Sequence, residues 1–174
     1  MKVSLDNITI RNKIYPGDFG QIIYLHGLLY AQEYKYGIQF EKYVAKGLVE
    51  FIENYDESKD RIWICEHDSR MIGCLILMHR DNNSAQLRYF LISPQYRGIG
   101  LGKYLMELFM EFLFEKKYES AYLWTTSELH TAISLYQRNG FKFAEEILTE
   151  TFGQAVNEQR YNLILNKNSS LELI

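Results

Sequence analysis

Residues 95–117 read QYRGIGLGKYLMELFMEFLFEKK, and they carry more structural information than any other part of the chain. Leu101, Leu105, Leu108, Phe109 and Phe112 recur at helical spacing on one apolar stripe, and Lys116 and Lys117 stand where a helix C-terminus favours positive charge. The helix therefore opens at the glycines. Just upstream, QLRYFLI (residues 86–92) reads as an apolar strand, ended by Ser93 and Pro94. A strand that turns through glycines into a helix leaves the first helical amides unpaired and aims the positive end of the dipole across the turn. An anion, above all a phosphate, suits that place. Arg97 and Lys103 add positive charge, and Gly98, Gly100 and Gly102 let a ligand approach the backbone around Ile99 and Leu101. No Asp or Glu falls between residues 96 and 106 to repel it.

Spacing narrows the ligand. A dinucleotide fingerprint GxGxxG opening at Gly98 needs its last glycine where Lys103 stands, and one opening at Gly100 needs it at Leu105. A triphosphate loop ending on Gly102 and Lys103 needs a glycine at Arg97 and a hydroxyl at Tyr104. Neither motif fits.

Outward from this segment the periodicities give an ordered set of elements. Residues 7–11 (NITIR) read as a short edge strand, and a helix opens after Pro16, Gly17 and Asp18 with Ile22, Leu25, Leu28 and Leu29 at helical spacing. A second helix runs from Ile38 to Phe51 beyond the QEYKYG junction. RIWICEH (61–67) and MIGCLILMHR (71–80) form a hairpin, and the polar cluster of residues 81–84 turns the chain into the strand that precedes the glycines. SAYLWTT (120–126) reads as a strand, residues 130–139 as a helix stopped by Gly140, and residues 141–151 and 159–165 as a closing hairpin. The expected fold is mixed α/β (α+β), with a central, mostly antiparallel sheet of about seven strands and about four helices. One domain is expected over residues 1–166, with a loose tail over residues 167–174.

Composition removes several function classes. With 174 residues, one sizeable core is expected and no staple is required. Nineteen Lys and Arg against 22 Asp and Glu, a net charge of −3, supply no footprint for nucleic acid. Cys65 and Cys74 read as small buried side chains in a reducing, cytoplasmic compartment. His26, His67 and His79 lack partners at ligand spacing, so no metal is expected; neither a signal peptide nor a membrane span is expected.

The pattern [QR]-x-x-G-x-[GA], met by Arg97, Gly100 and Gly102, together with LYQRNGF at residues 135–141, resembles the GNAT superfamily of N-acetyltransferases over nearly the whole chain. YLHGLLYAQEY, YLWTTSELHTAISLYQRNGF and NEQRYNL are further similar to the acetyltransferase half of bacterial proteins in which this domain follows a winged-helix regulator, although no DNA-binding domain upstream is expected for this chain. The resemblance implies an acetyl-coenzyme A site. Its pyrophosphate would lie on the amides of Arg97, Gly98, Ile99, Gly100, Leu101, Gly102 and Lys103. Its pantetheine arm would pair with Leu91, Ile92 and Ser93, and Tyr136 would contact the cofactor. Where the family usually has an Asn the chain has TTSE, with Thr126 or Ser127 as stand-ins.

Acetyl transfer from a thioester needs a neutral amine and an acid for the departing thiolate. Tyr136 is the expected acid. Some family members carry a Glu on the strand before the glycines, but this chain offers Gln86 and Arg88 there. The candidates for a base are then Glu33, Glu128, Glu41 and His130; direct attack by an already deprotonated amine, with water relaying the proton, is equally compatible. The aromatic group Tyr30, Tyr34, Tyr36, Phe40 and Tyr43 is expected to wall an acceptor pocket for a small-molecule or protein amine. The alternative is a non-catalytic acyl-coenzyme A binding regulatory module, motivated by the missing strand carboxylate. A monomer or a homodimer joined at a sheet edge is expected.

Overall fold

The computed structural model describes residues 3–165 of the chain. The expected tail at 167–174 lies outside the described residues. A 3-10 turn at Leu5–Asn7 leads into β1 (Thr9–Arg11), α1 (Asp18–Tyr34) and α2 (Ile38–Asn54). Strands β2 (Arg61–His67), β3 (Arg70–Arg80) and β4 (Ser84–Ile92) follow as an antiparallel meander, then α3 (Leu101–Glu115), β5 (Ser120–Thr126), α4 (His130–Arg138), β6 (Lys142–Thr149) and β7 (Val156–Ile164). The seven strands form one sheet in the order β1-β2-β3-β4-β5-β7-β6, and only β4 and β5 run parallel. The β2–β3 turn is two residues long, with positive φ at Asp68 and Ser69, and the β3–β4 turn three, with positive φ at Asn82 and Asn83.

Two apolar cores lie on opposite faces of the sheet. One joins α3 to Trp63, Leu75, Leu77 and Leu123; the other joins α1 and α2 to Ile62, Ile64, Ile76 and Met78. No side-chain cap starts α3. Six buried residues hold it instead, Leu101, Leu105, Met106, Phe109, Phe112 and Leu113, each contributing roughly 1.5–3 kcal/mol of burial. Cys65 and Cys74 are fully buried, one in each core, and burial pushes the Cys65 thiol up to about 12.

At its amino end, α1 is fixed to β1 by charge. Arg11 reaches Asp18 at 2.7 Å and Glu66 at 2.9 Å. Burial pushes the Asp18 carboxyl up, but hydrogen bonds from Arg11 and from the Tyr15 amide outweigh it and hold the group below the usual carboxylate range.

The centre of the sheet opens. β4 pairs with β5 only from Ser84 and Ser120 to Leu87 and Leu123, whereas β5 pairs with β7 along its full length. The cause is local: Ile76 faces Arg88 but Cys74 faces Leu91, so β4 carries one extra residue, and Tyr89 has φ +53°. The Cys74 thiol donates to the Tyr89 carbonyl at 3.1 Å inside this bulge. Beyond it, residues 88–92 have no strand partner on the β5 side.

Among the described residues no helix is long and apolar enough to cross a membrane, and no group of three or more His, Cys, Asp or Glu side chains is placed to hold a metal.

Candidate active site

The wedge between β4 and β5 is the floor of a cleft of about 870 Å³. The glycine loop and the start of α4 border it, and aromatic side chains of α1 and α2 wall it on the other side. Gly98 and Gly100 have φ of +78° and +92°, a backbone that side chains with a Cβ rarely adopt. The amide of Arg97 donates to Pro94 and that of Tyr104 to Gly100, but the amides of residues 98–103 donate to no group among the described residues. Six amides of the loop and the first turn of α3 are thus without an acceptor, and Gly98, Gly100, Gly102 and Lys103 among them line the cleft. Gly102 has ordinary helical backbone, and a Cβ there would meet Ile92 and Leu135 at 3.5 and 3.6 Å, so the chain itself does not demand glycine. A ligand approaching the backbone would.

The structure brings Leu91, Ile92, Arg97, Gly98, Gly100, Gly102, Lys103, Tyr136, Glu33 and Glu128 to the cleft wall. Ser93, Ile99 and Leu101 do not line it: the Ser93 amide donates to Ile72 at 2.8 Å, Leu101 fills the core and Ile99 packs against it. The two cations of the loop are both engaged, Arg97 with Glu33 at 2.9 Å and Lys103 with Glu107 at 3.5 Å. The Arg97–Glu33 pair is bidentate, with a second contact of 3.0 Å, so the Glu33 carboxylate is committed to the loop. Glu41 lies away from the cleft, its carboxylate over Gly27 of α1. His130 and Thr126 reach the wall; Ser127 does not.

Tyr136 is 5 % exposed, between the rings of Phe90 and Phe141, and burial raises its phenol so that it stays protonated near neutral pH. The Tyr36 hydroxyl donates to Glu128 at 2.5 Å and lies 3.1 Å from the hydroxyl of Thr126. Buried His26 donates from Nδ1 to the Ile22 carbonyl, and burial lowers it to about 4, leaving a neutral ring in the wall.

The sequence profile of the acetyltransferase (GNAT) family matches residues 16–141. The chain belongs to the GNAT acetyltransferase family. It is 28% identical over 114 residues to "N-acetyltransferase family 8 member 2" of Rattus norvegicus, a match that covers 60% of this chain and 50% of that protein. The chain therefore spans about half the length of this curated relative. Its fold is similar to an acetyltransferase of Streptococcus agalactiae (TM-score 0.73, 22% identity, 92% of this chain and 100% of that one). It is also similar to a GNAT family acetyltransferase of Elizabethkingia anophelis with acetyl-CoA bound (TM-score 0.60, 16% identity, 92% and 99% covered).

Two cleft residues of this GNAT protein escaped sequence reasoning as site residues. Glu158 lines the wall from β7, opposite Thr126 in register, half-buried, and burial raises its carboxyl above the usual range despite a hydrogen bond with Thr149. The expected strand began at Gln159; β7 begins at Val156, since Val156 is buried and pairs with Thr149. Three residues of strand register hid the acid. Arg88, which stands where a carboxylate was sought, also faces the cleft.

Proposed function

We propose that the protein transfers the acetyl group of acetyl-coenzyme A to a primary amine of a small molecule or protein by direct attack. The observation that carries this reading is the row of unpaired amides at residues 98–103, continuous with the open side of β4 in one cleft. The amides suit a diphosphate, and the unpaired edge at Leu91 and Ile92 suits an amide-bearing arm. When bound, the thioester supplies an electrophilic acyl carbon and a thiolate leaving group. Tyr136, neutral and buried, holds the proton that the thiolate takes. Glu158 accepts the proton of the amine, because burial moves its basicity toward the operating range. Glu128, steadied by Tyr36, adds negative charge that draws an ammonium into the cleft.

The regulatory-module alternative rested on the missing strand carboxylate, and Glu158 in the wall removes that motive. A reducing, cytoplasmic setting is supported by two buried free cysteines. Assembly as a monomer or homodimer turns on edge strand β6, whose Phe143, Ile147 and Leu148 are exposed. A likeness to acetyltransferase domains that accompany winged-helix regulators remains part of this proposal on its sequence motifs alone.

The test is thermal and kinetic. Acetyl-coenzyme A at millimolar concentration raises the melting temperature of the wild type, Gly100→Asp abolishes the rise, and Tyr136→Phe keeps it while lowering thiol release on the order of 100-fold. No rise in the wild type overturns the reading.

A further inference from the structure

The bulge that opens the sheet also turns two consecutive side chains, Arg88 and Tyr89, onto the same face. Both reach α2 at Gly47, where a Cβ would stand 2.2 Å from the Tyr89 hydroxyl and 2.7 Å from Arg88 Nη2. The Arg88 side chain is only 12 % exposed, yet it makes no hydrogen bond among the described residues. Its nearest counter-charge is Glu50 at 3.6 Å, a half-solvated carboxylate whose other oxygen is taken by Arg80, which also donates to Gln86. The rings of Tyr43 and Tyr89, 5.5 and 4.8 Å away, offset part of the cost of burying the cation but accept no hydrogen bond in its plane. Beside it the buried Tyr89 hydroxyl has no partner. This corner of the cleft holds donors in excess of acceptors, and a planar guanidinium is matched best by a carboxylate that takes two N–H groups.

The opposite wall has the reverse sign. Glu158 and Glu128 line the same cleft from β7 and from the end of β5, and ring contacts from Tyr43 to Phe152 to Tyr36 link Arg88 on one side to Glu128 on the other. A cation on one wall, carboxylates on the other and aromatic surface between them describe a molecule with an ammonium, a carboxylate and an apolar side chain. The diphosphate of the cofactor does not account for Arg88, because the glycine loop lies on the other side of Leu91 along the chain.

We propose that the acceptor is an amino carboxylic acid with an apolar or aromatic side chain, its carboxylate held by Arg88 and its amine directed to the Glu158 wall. This deepens the transferase reading and rests on it for the identity of the reaction. The test uses the full chain, acetyl-coenzyme A and four matched pairs: phenylalanine and phenethylamine, tryptophan and tryptamine, leucine and isoamylamine, methionine and 3-methylthiopropylamine. Free thiol release is followed for each. In at least one pair the acid is preferred about tenfold or more in kcat/KM. Arg88→Gln erases the preference by raising KM for the acid while leaving the decarboxylated amine within about twofold, and Arg88→Lys restores part of it.

Equal or better use of the decarboxylated amine in every pair overturns the proposal, and so does a preference that survives in Arg88→Gln. Calorimetry of the same acids on protein saturated with coenzyme A gives the second arm. Binding that Arg88→Gln abolishes supports the carboxylate site even where no thiol is released, an outcome that fails the transferase reading alone. Thiol release confined to amines without a carboxylate fails this proposal alone, and absence of both binding and turnover of every acid also overturns it.

Discussion

In the proposed reaction Glu158 and Tyr136 have opposite duties, and their surroundings separate them. Both groups are pushed toward their protonated forms by burial, which leaves a phenol fully protonated at neutral pH but only shifts a carboxyl toward neutrality. The base works as carboxylate, so the wild-type rate rises with pH through the raised Glu158 value. Glu158→Gln lowers kcat/KM on the order of 100-fold and removes that rising limb, which a pH series of thiol release measures. The stability sign follows from the same shift. Because the folded value lies above the unfolded one, the protonated group favours the fold below the unfolded value, and that contribution is lost as pH rises through the folded value. Glu158→Gln therefore gains in melting temperature relative to wild type at pH 8 compared with pH 4. An unchanged pH profile and an unchanged difference in melting temperature leave Glu158 a wall residue with no catalytic duty.

At the scale of elements, β3 and β4 show how closely the open edge is supported from behind. A Cβ on Gly73 would meet the Leu91 carbonyl at 2.6 Å and the Ile92 Cα at 3.3 Å, backbone atoms that move only with their strand. Gly73→Ala costs about 1–3 kcal/mol in a denaturant titration and shrinks the thermal response to acetyl-coenzyme A, since the displaced strand is the cleft floor. Gly27→Ala is the control. The three atoms nearest its Cβ all belong to the partly exposed side chain of Glu41, Oε2 at 2.5 Å and Cγ at 3.3 Å, so that side chain swings aside and stability stays within about 0.5 kcal/mol. The elements themselves were legible, because a stripe such as Leu101, Leu105 and Phe109 and the alternation of β2 to β4 follow directly from where each side chain can be buried. The glycine loop was legible for the same local reason, its positive φ values. What the sequence did not display was the bulge at Tyr89, where an extra residue depends on pairing with partners 12 to 17 positions away, Ile76 with Arg88 and Cys74 with Leu91. The face of Arg88, the engagement of Arg97 by Glu33 and the arrival of Glu158 all depend on such non-local register.

For the molecule as a whole, two cores clamp the sheet from both faces while its middle is left open on one line. The clamped strands β2 and β3 have neighbours on both sides and buried side chains along their central stretches, so the amides there open only with the whole fold. Residues 88–92 have a strand on one side alone, and the amides of residues 98–103 have no acceptor among the described residues. Any ligand that completes the structure must add its hydrogen bonds along these two segments, and they belong to one cleft. Hydrogen exchange followed by mass spectrometry therefore shows acetyl-coenzyme A slowing peptides that cover residues 88–104 at least about tenfold, with β2 and β3 unchanged under conditions where local opening dominates. Protection spread evenly over the sheet reports only a general gain in stability, and protection confined to β6 and β7 places the ligand on the edge hairpin; either pattern separates the cofactor from the wedge. Slowing limited to residues 98–104 keeps the diphosphate on the loop but removes the arm from β4, and with it the delivery of the thioester to Tyr136.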